Sequence, residues 1–193
     1  MVRMAGNMKG ATVNKTVKSF GAVGVSAAVV FGLPGTALAD LDDSQKDAFV
    51  AQHNEYRAEV GTPPLAWDDT IAASAQAYAD QLLPTVQSQG LVHDPSTPYG
   101  ENLYYAWSFG GGAMAPDPLG AMAYWYAEKA LYDANPEPVT NPVQKWGHYS
   151  QMVWQDTQSS GCGAASGFQN GQWDTVVVCR YDPAGNIVGE MPY

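Results

Sequence analysis

The sequence predicts an α+β fold in which helices pack on an antiparallel sheet. Helical patterns predominate up to about residue 133, and strand-like segments predominate in the rest of the chain. The strand-like segments do not alternate with helices, so the βαβ pattern of a parallel sheet is absent. Asn170-Gly171 separates the last two strand-like segments and is a hairpin signal, which indicates an antiparallel pair.

Two apolar stripes with helical spacing predict the first two helices. The first helix follows Ser44 and ends at Gly61, and the second stops at Pro84. The stripes consist of Phe49, His53, Tyr56 and Val60, and of Ile71, Ala75, Tyr78 and Leu82.

A third helix is predicted between two irregular connections. It opens with Asp117-Pro118, an N-cap followed by a first-turn proline, and runs to about residue 133. Before it, residues 100–105 are strand-like in part and Gly110-Gly111-Gly112 is a flexible tract. After it, residues 134–145 carry three prolines and predict an extended loop.

Three later segments predict strands: Tyr149–Trp154, a stretch around Cys162, and Thr175–Tyr181, which is the strongest. The predicted hairpin brings Cys162 and Cys179 onto neighbouring strands. Neither cysteine belongs to a CxxC or other metal-like pattern, so we predict a disulfide that stabilises the fold by ~3 kcal/mol. Two free thiols are the alternative, and they require a reducing compartment.

The first 39 residues predict a secretory signal peptide. They contain four basic residues and no acidic one, then the uncharged stretch Phe20–Phe31 and the small-residue site Ala37-Leu38-Ala39. A membrane anchor is the alternative, but this stretch is well short of the ~20 apolar residues that a spanning helix needs. We therefore expect residues 1–39 to be removed and residues 40–193 to be secreted as a single extracellular domain.

The charge of the mature chain excludes several classes of partner. Five basic residues against 19 acidic ones give residues 40–193 a formal charge of −14. Repulsion between like charges disfavours nucleic acid and anionic lipid head groups. No later segment is long and apolar enough to span a bilayer, and we expect a monomer.

Glu128 is the first candidate for chemistry. Helical spacing places it on an otherwise apolar face with Ala121, Trp125 and Tyr132. A buried carboxylate there requires a cation, a metal or a proton. A rotated helix with a solvated Glu128 fits the spacing equally well.

Two histidines, His93 and His148, and two acids, Glu101 and Glu128, would suit a divalent metal if they met in space. Spacing alone does not join them, because the chain has no HExxH motif. Ser150 is near His148 but lies outside any GxSxG motif, so a hydrogen-bonded hydroxyl is favoured over a nucleophile.

Several segments resemble the signature motifs of the CAP superfamily, the cysteine-rich secretory proteins, antigen 5 and pathogenesis-related proteins, and most of all the pathogenesis-related group. Together they cover about residues 44–193 in the family's order. The segments are His53-Asn54-Glu55-Tyr56-Arg57, Gly61, Pro64-Leu65-Ala66-Trp67-Asp68, Gly100-Glu101-Asn102-Leu103, Gly147-His148-Tyr149-Ser150-Gln151-Met152-Val153-Trp154, and Tyr181-Asp182-Pro183-Ala184-Gly185-Asn186.

The resemblance implies a three-layer α-β-α sandwich with a central antiparallel sheet and an open cleft, the SCP domain. It also implies that His93 and His148 are metal ligands, for zinc or another divalent ion, and that Glu101 and Glu128 are cleft acids. It assigns no catalytic residue. His53 and Arg57 match a mostly structural helix motif and are left out of the site.

The resemblance further implies a secreted binding protein for a sterol or other lipid, with a role in defence or virulence. The loop at 134–145 borders the cleft, where Val139, Val143 and Trp146 could admit a ligand or simply pack. A metal-dependent hydrolase that uses Glu101 or Glu128 as a base is one alternative. Release of residues 183–193 as a signalling peptide is another, although an end of the chain that closes the sheet is favoured over release.

Overall fold

The computed structural model describes residues 41–110 and 117–193, so the predicted signal peptide and most of the glycine tract lie outside the described residues. Within this part, no helix is long and apolar enough to cross a membrane. The helices are α1 (Asp43–Val60), α2 (Asp69–Leu82), α3 (Val86–Gln89), α4 (Pro118–Tyr126), α5 (Lys129–Ala134) and α6 (Gly147–Met152). The strands are β1 (Ala66–Trp67), β2 (Gly100–Ser108), β3 (Ser159–Gln169) and β4 (Gln172–Asp182).

The sheet has the strand order β1-β3-β4-β2. Strand β4 pairs antiparallel with both of its neighbours, whereas the two-residue β1 pairs parallel with β3. The predicted antiparallel sheet is therefore confirmed for its three long strands. Asn170 and Gly171 have φ angles of 48° and 88°, as the hairpin turn between β3 and β4 requires.

The hairpin sets Cys162 directly opposite Cys179, and a disulfide joins them. The predicted pairing is confirmed. The bond links β4 to its neighbour β3. It therefore fixes the register of β4, which lies in the middle of the three long strands.

Two apolar cores lie on opposite faces of the sheet. Alternate residues of β4 enter each core, with Val177 and Tyr181 on one face and Val176 and Val178 on the other. Helices α2 and α3 cover the second face, and α1, α4, α5 and α6 cover the first. This arrangement is the expected three-layer α-β-α sandwich.

The first two predicted helices are confirmed, and local signals fix their ends. Asp42 caps α1 in a reciprocal capping box with Gln45, and Gly61 ends the helix in the left-handed conformation. Asp68 caps α2 through the amides of its first turn.

Residues 149–154 do not form the predicted strand. Residues 147–152 form α6, and Tyr149, Ser150, Gln151 and Met152 are all buried. A helix of six residues whose last four are all buried is too short to show a polar face. Its sequence therefore resembles that of a buried strand, and periodicity cannot separate the two.

The predicted third helix is also interrupted. It divides into α4 and α5 around Ala127 and Glu128. Glu128 follows the end of α4, and its carboxylate accepts hydrogen bonds from the backbone amides of His148 and Tyr149 in the first turn of α6. The break thus brings a carboxylate to the start of another helix.

Helix α6 is held at its other end by Arg57, which is completely buried in α1. The guanidinium donates to the backbone oxygens of Met152, Trp154 and Thr157, and also to that of Pro63. These carbonyls satisfy the buried cation in place of a carboxylate. Burial lowers the pKa of Arg57 to about 10.

Residues 183–193 follow the last strand, β4, and add no further strand to the sheet. This tail runs over α6 and the loop at 134–145. Val139 exchanges two backbone hydrogen bonds with the tail, donating to Glu190 and accepting from Gly189. Gln155 donates its backbone amide to the carbonyl of Pro192. The tail is therefore bonded along its length to the body of the protein.

Candidate functional site

A cleft of about 1180 Å³ lies beside β2, one of the two edge strands of the sheet. All four residues that the sequence singled out, His93, Glu101, Glu128 and His148, line this cleft. Its other walls are largely aromatic and aliphatic. Among the residues that form them are Leu91, Leu103, Tyr104, Trp107, Tyr124 and Leu131.

His93 and Glu101 form the first of two carboxylate–histidine pairs. His93 lies in the connection between α3 and β2, and its Nδ1 is 2.9 Å from Glu101 Oε1. The side chain of Glu101 is only 3% exposed, while that of His93 is 64% exposed. The acid is therefore a fixed part of the sheet, and the imidazole lies at the solvent-facing side of the cleft.

His148 and Glu128 form the second pair. Nδ1 of His148 is 2.7 Å from Glu128 Oε1, and Glu128 Oε2 accepts the two amides of α6 described above. The imidazole stacks on the ring of Trp125 at a centroid separation of 6.0 Å. The carboxylate of Glu128 is therefore paired with N–H donors of His148 and Tyr149, and not with a lysine or arginine.

Both pairs fix the tautomer of the imidazole. An ionised carboxylate only accepts hydrogen bonds, so Nδ1 of each neutral imidazole must carry the proton. Nε2 is then the unprotonated nitrogen, which is the form that binds a metal ion. In this arrangement the carboxylates support the histidines instead of competing with them as ligands.

The donor set fits a metal only in part. Among the described residues, no group of three or more histidine, cysteine, aspartate or glutamate side chains is arranged to hold an ion. Two imidazoles supply fewer ligands than the three or four of most protein zinc sites. Any ion held here must complete its coordination shell with solvent or with a ligand.

The carboxylates and Ser150 fit catalysis poorly. Each oxygen of Glu101 and Glu128 already accepts at least one hydrogen bond. Ser150 is buried, and its hydroxyl lies 2.5 Å from Asn186 Oδ1. The hydrogen-bonded role that the sequence favoured for Ser150 is the one that the structure shows.

The three residues considered for ligand entry have different surroundings. Val143 is 44% exposed and lines the cleft. Val139 and Trp146 are buried in the core against α5 and α6. These two residues therefore pack in the core, which is the alternative that the sequence left open.

Sequence reasoning missed Arg180 and Asp94. Arg180 lies across from Glu101 in the β2–β4 register and donates to both Glu101 and Asp94. A signal was present, because Arg180 is a lone cation at the end of the apolar run Thr175–Cys179. A buried guanidinium in a strand needs carboxylate or carbonyl partners.

Known proteins resemble this chain over most of its length. Residues 50–181 match the cysteine-rich secretory protein family, CAP. Pathogenesis-related protein 1C of Nicotiana tabacum is 40% identical over 151 residues, which cover 78% of this chain and 82% of the relative.

Solved structures agree with the sequence comparison. The structure of BmVAL-1 matches with a TM-score of 0.66 and 28% identity, and the match covers 84% of this chain and 86% of that one. The crystal structure of NaASP2 with Zn²⁺ has the same fold, with a TM-score of 0.61 and 22% identity over 84% of this chain and 90% of that one.

Proposed function

The chain belongs to the CAP family of cysteine-rich secretory proteins, and from this premise we propose that it is a secreted binding protein of the defence-related type. Its cleft takes an apolar ligand, a sterol or another lipid, and holds Zn²⁺ or a similar divalent ion at His93 and His148. The observation that carries the proposal is that two carboxylate-oriented imidazoles share one cleft with a largely aromatic and aliphatic wall.

The metal part of the proposal rests on the two histidine pairs. A carboxylate on the far nitrogen of a ligating histidine fixes the ring and raises its basicity, and loss of such a carboxylate typically weakens metal binding 10- to 100-fold. Each pair has this arrangement, with Nδ1 bonded to the carboxylate and Nε2 left to contact the ion. With only two protein ligands, the ion is expected to be bound weakly and to exchange readily.

The lipid part rests on the composition of the walls. Leu131 and Val143, which line the cleft, are 50% and 44% exposed. A large cleft with apolar walls and a few convergent polar groups is the usual form of a small-molecule site. The formal charge of −14 disfavours an anionic ligand, so a neutral lipid such as a sterol is preferred.

Hydrolysis is less well supported than binding, because both cleft acids are occupied by hydrogen-bond donors. A general base must have a lone pair within reach of the proton that it removes. In this cleft the lone pairs of Glu101 and Glu128 orient the two histidines instead.

Native mass spectrometry tests the metal part. The protein is expressed with its own leader, purified from the medium, and offered Zn²⁺. We expect the mass of residues 40–193, with one zinc ion bound to a fraction of the chains that rises with the zinc concentration. His148→Ala and His93→Ala should each lose the ion, whereas the control Lys46→Gln, outside the cleft lining, should retain it. Equal zinc retention in all four proteins would contradict the metal site.

A fluorescent sterol tests the lipid part. We expect saturable binding to the wild-type protein and at least a tenfold loss of affinity in Leu131→Arg, because a charge then enters the apolar wall. Phe168→Arg is the matched control, since Phe168 is 61% exposed and does not line the cleft. Failure to bind any of a panel of neutral lipids would refute this part of the proposal.

A further inference from the structure

We propose that Arg180 is a positioning residue that fixes His93 at the cleft by joining Glu101 of the sheet to Asp94 of the connection after α3. The proposal rests on the proposed role of His93 as a ligand. It adds a residue to which the sequence motifs gave no function, and it states how a histidine on an irregular segment is held in place.

His93 needs such an anchor because packing does not supply one. It lies in the irregular segment between α3 and β2, and its side chain is 64% exposed. His148, by contrast, is part of α6, and the side chain of His148 is 34% exposed. A ligand on an exposed irregular segment is precise only where hydrogen bonds hold that segment.

Arg180 supplies the link between sheet and connection. Its side chain is 6% exposed, and it lies on β4 directly opposite Glu101 of β2. Its Nε and Nη2 are 3.2 and 3.0 Å from Glu101 Oε2, and the same Nη2 is 2.7 Å from Asp94 Oδ2. One planar guanidinium thus joins an acid of the sheet to the residue after His93.

The other oxygen of Glu101 completes the arrangement. Oε1 accepts Nδ1 of His93 at 2.9 Å and the backbone amide of Asp94 at 3.1 Å. Glu101 is almost fully buried, so its charge requires a cation, which Arg180 provides. Without that guanidinium, the buried Oε2 of Glu101 would have no donor, and the carboxylate that orients the imidazole would no longer be held in place.

Tyr78 holds the residue on the other side of His93. Its hydroxyl donates to the carbonyl of Val92 at 2.7 Å, and its ring lies 5.2 Å from the guanidinium of Arg180. Val92 and Asp94, on either side of His93, are therefore bonded to Tyr78 and Arg180, and these two residues contact each other. The backbone around the imidazole is fixed on both sides.

The two histidines should consequently respond differently to a change at Arg180. Glu128, the partner of His148, is held by backbone amides of α6 and not by Arg180. His148 is thus an internal control within the same molecule. A lysine at position 180 keeps the charge, but its single ammonium cannot reproduce the planar fork that joins two carboxylates.

Ring ¹⁵N NMR of the mature protein without metal tests the proposal. At about pH 8 both wild-type imidazoles should carry their proton on Nδ1, because each Nδ1 faces a carboxylate oxygen that can only accept. Arg180→Lys should give a mixture of tautomers at His93 and at least tenfold faster amide exchange at Asp94, with His148 unchanged. Tyr78→Phe should speed exchange at residues 91–94, and Lys46→Gln should change neither signal.

The zinc affinity gives a second readout, and we expect a loss of ~10-fold in Arg180→Lys. Asp94→Asn removes only the bond between Arg180 and the connection, so it should speed amide exchange at residue 94 even if Arg180→Lys is poorly folded. An unchanged His93 tautomer and unchanged Asp94 exchange in both variants would overturn the proposal. If the wild-type protein binds no zinc, the metal function fails, while the NMR result still decides the role of Arg180.

Discussion

The side-chain amide of Gln76 hydrogen-bonds both backbone groups of Ala164. Nε2 of Gln76 donates to the carbonyl of Ala164 at 2.9 Å, and Oε1 accepts the amide of Ala164 at 3.0 Å. Strand β1 pairs only with the first two residues of β3, Ser159 and Ser160. A residue of α2 therefore takes the place of a neighbouring strand at the edge of β3, where unpaired backbone groups would otherwise be exposed to other chains.

Gln76→Leu should destabilise the protein, because it leaves the amide and the carbonyl of Ala164 without a partner. We expect the free energy of unfolding in urea to fall by about 2–4 kcal/mol. Gln52→Ala, which removes a side-chain hydrogen bond to Tyr56 on α1, should cost under about 1 kcal/mol. Equal effects of the two substitutions would contradict the role assigned to Gln76.

Gly163 permits the close approach of α2 to β3. A Cβ atom at Gly163 would lie 2.2 Å from the Cα atom of Gln76, a backbone atom that cannot move aside alone. Gly163→Ala should therefore cost about 3 kcal/mol or more, or prevent folding. Gly167→Ala is the control, since its Cβ would meet only the Leu83 side chain at 3.2 Å. Thermal unfolding of both variants is the measurement, and similar melting temperatures would refute the prediction.

His53 should make the protein less stable in acid. It is completely buried in α1, and burial, with a smaller effect of the Arg57 charge, lowers its pKa to about 3. The unfolded chain, with a histidine pKa of about 6.5, binds the proton first, so stability is lost as the pH falls from about 6.5 towards 3.

The size of this effect follows from the two pKa values. Between about pH 8 and pH 5 the loss attributable to His53 should be about 2 kcal/mol. Urea unfolding of wild type and His53→Gln at both pH values measures it. The variant will be less stable overall, but its stability should depend less on pH. Parallel pH profiles would show that His53 does not titrate on unfolding.

The disulfide between Cys162 and Cys179 closes a loop with a sequence separation of 17. In the chain-entropy model a loop of this length stabilises the folded state by ~3 kcal/mol. Cys162→Ala/Cys179→Ala should lower the urea midpoint accordingly, yet keep the β3–β4 hairpin, because the turn at Asn170-Gly171 and the strand pairing remain. Loss of the hairpin amide protection in this variant would contradict that expectation.

Where local signals and packing agreed, the sequence predicted the fold well. The caps of α1 and α2, the Asn170-Gly171 turn and the apolar run of β4 each indicate the structure that they form. Helix α6 was missed because six residues, the last four of them buried, are too few to show a helical period. The break at Glu128 was missed because the partners of its carboxylate, two amides of α6, are distant in the sequence.

The four cleft residues were identified through the family resemblance and not through spacing. Spacing could place Glu128 on an apolar face but could not show that its partner would be His148, 20 positions later. Arg180 could have been noticed as a charge at the end of an apolar strand. Its two partners, on β2 and on an irregular segment, are apparent only once the β2–β4 register is known.

The attachment of residues 183–193 has a consequence for any signalling role of that segment. A protease that cut after Asp182 would produce a fragment still hydrogen-bonded to Val139 and Gln155. Cleavage and release would be separate steps, because the fragment would stay bound to the cleaved protein until it dissociated. The rate at which a signal appeared in the medium would then be set by desorption of the fragment rather than by the protease.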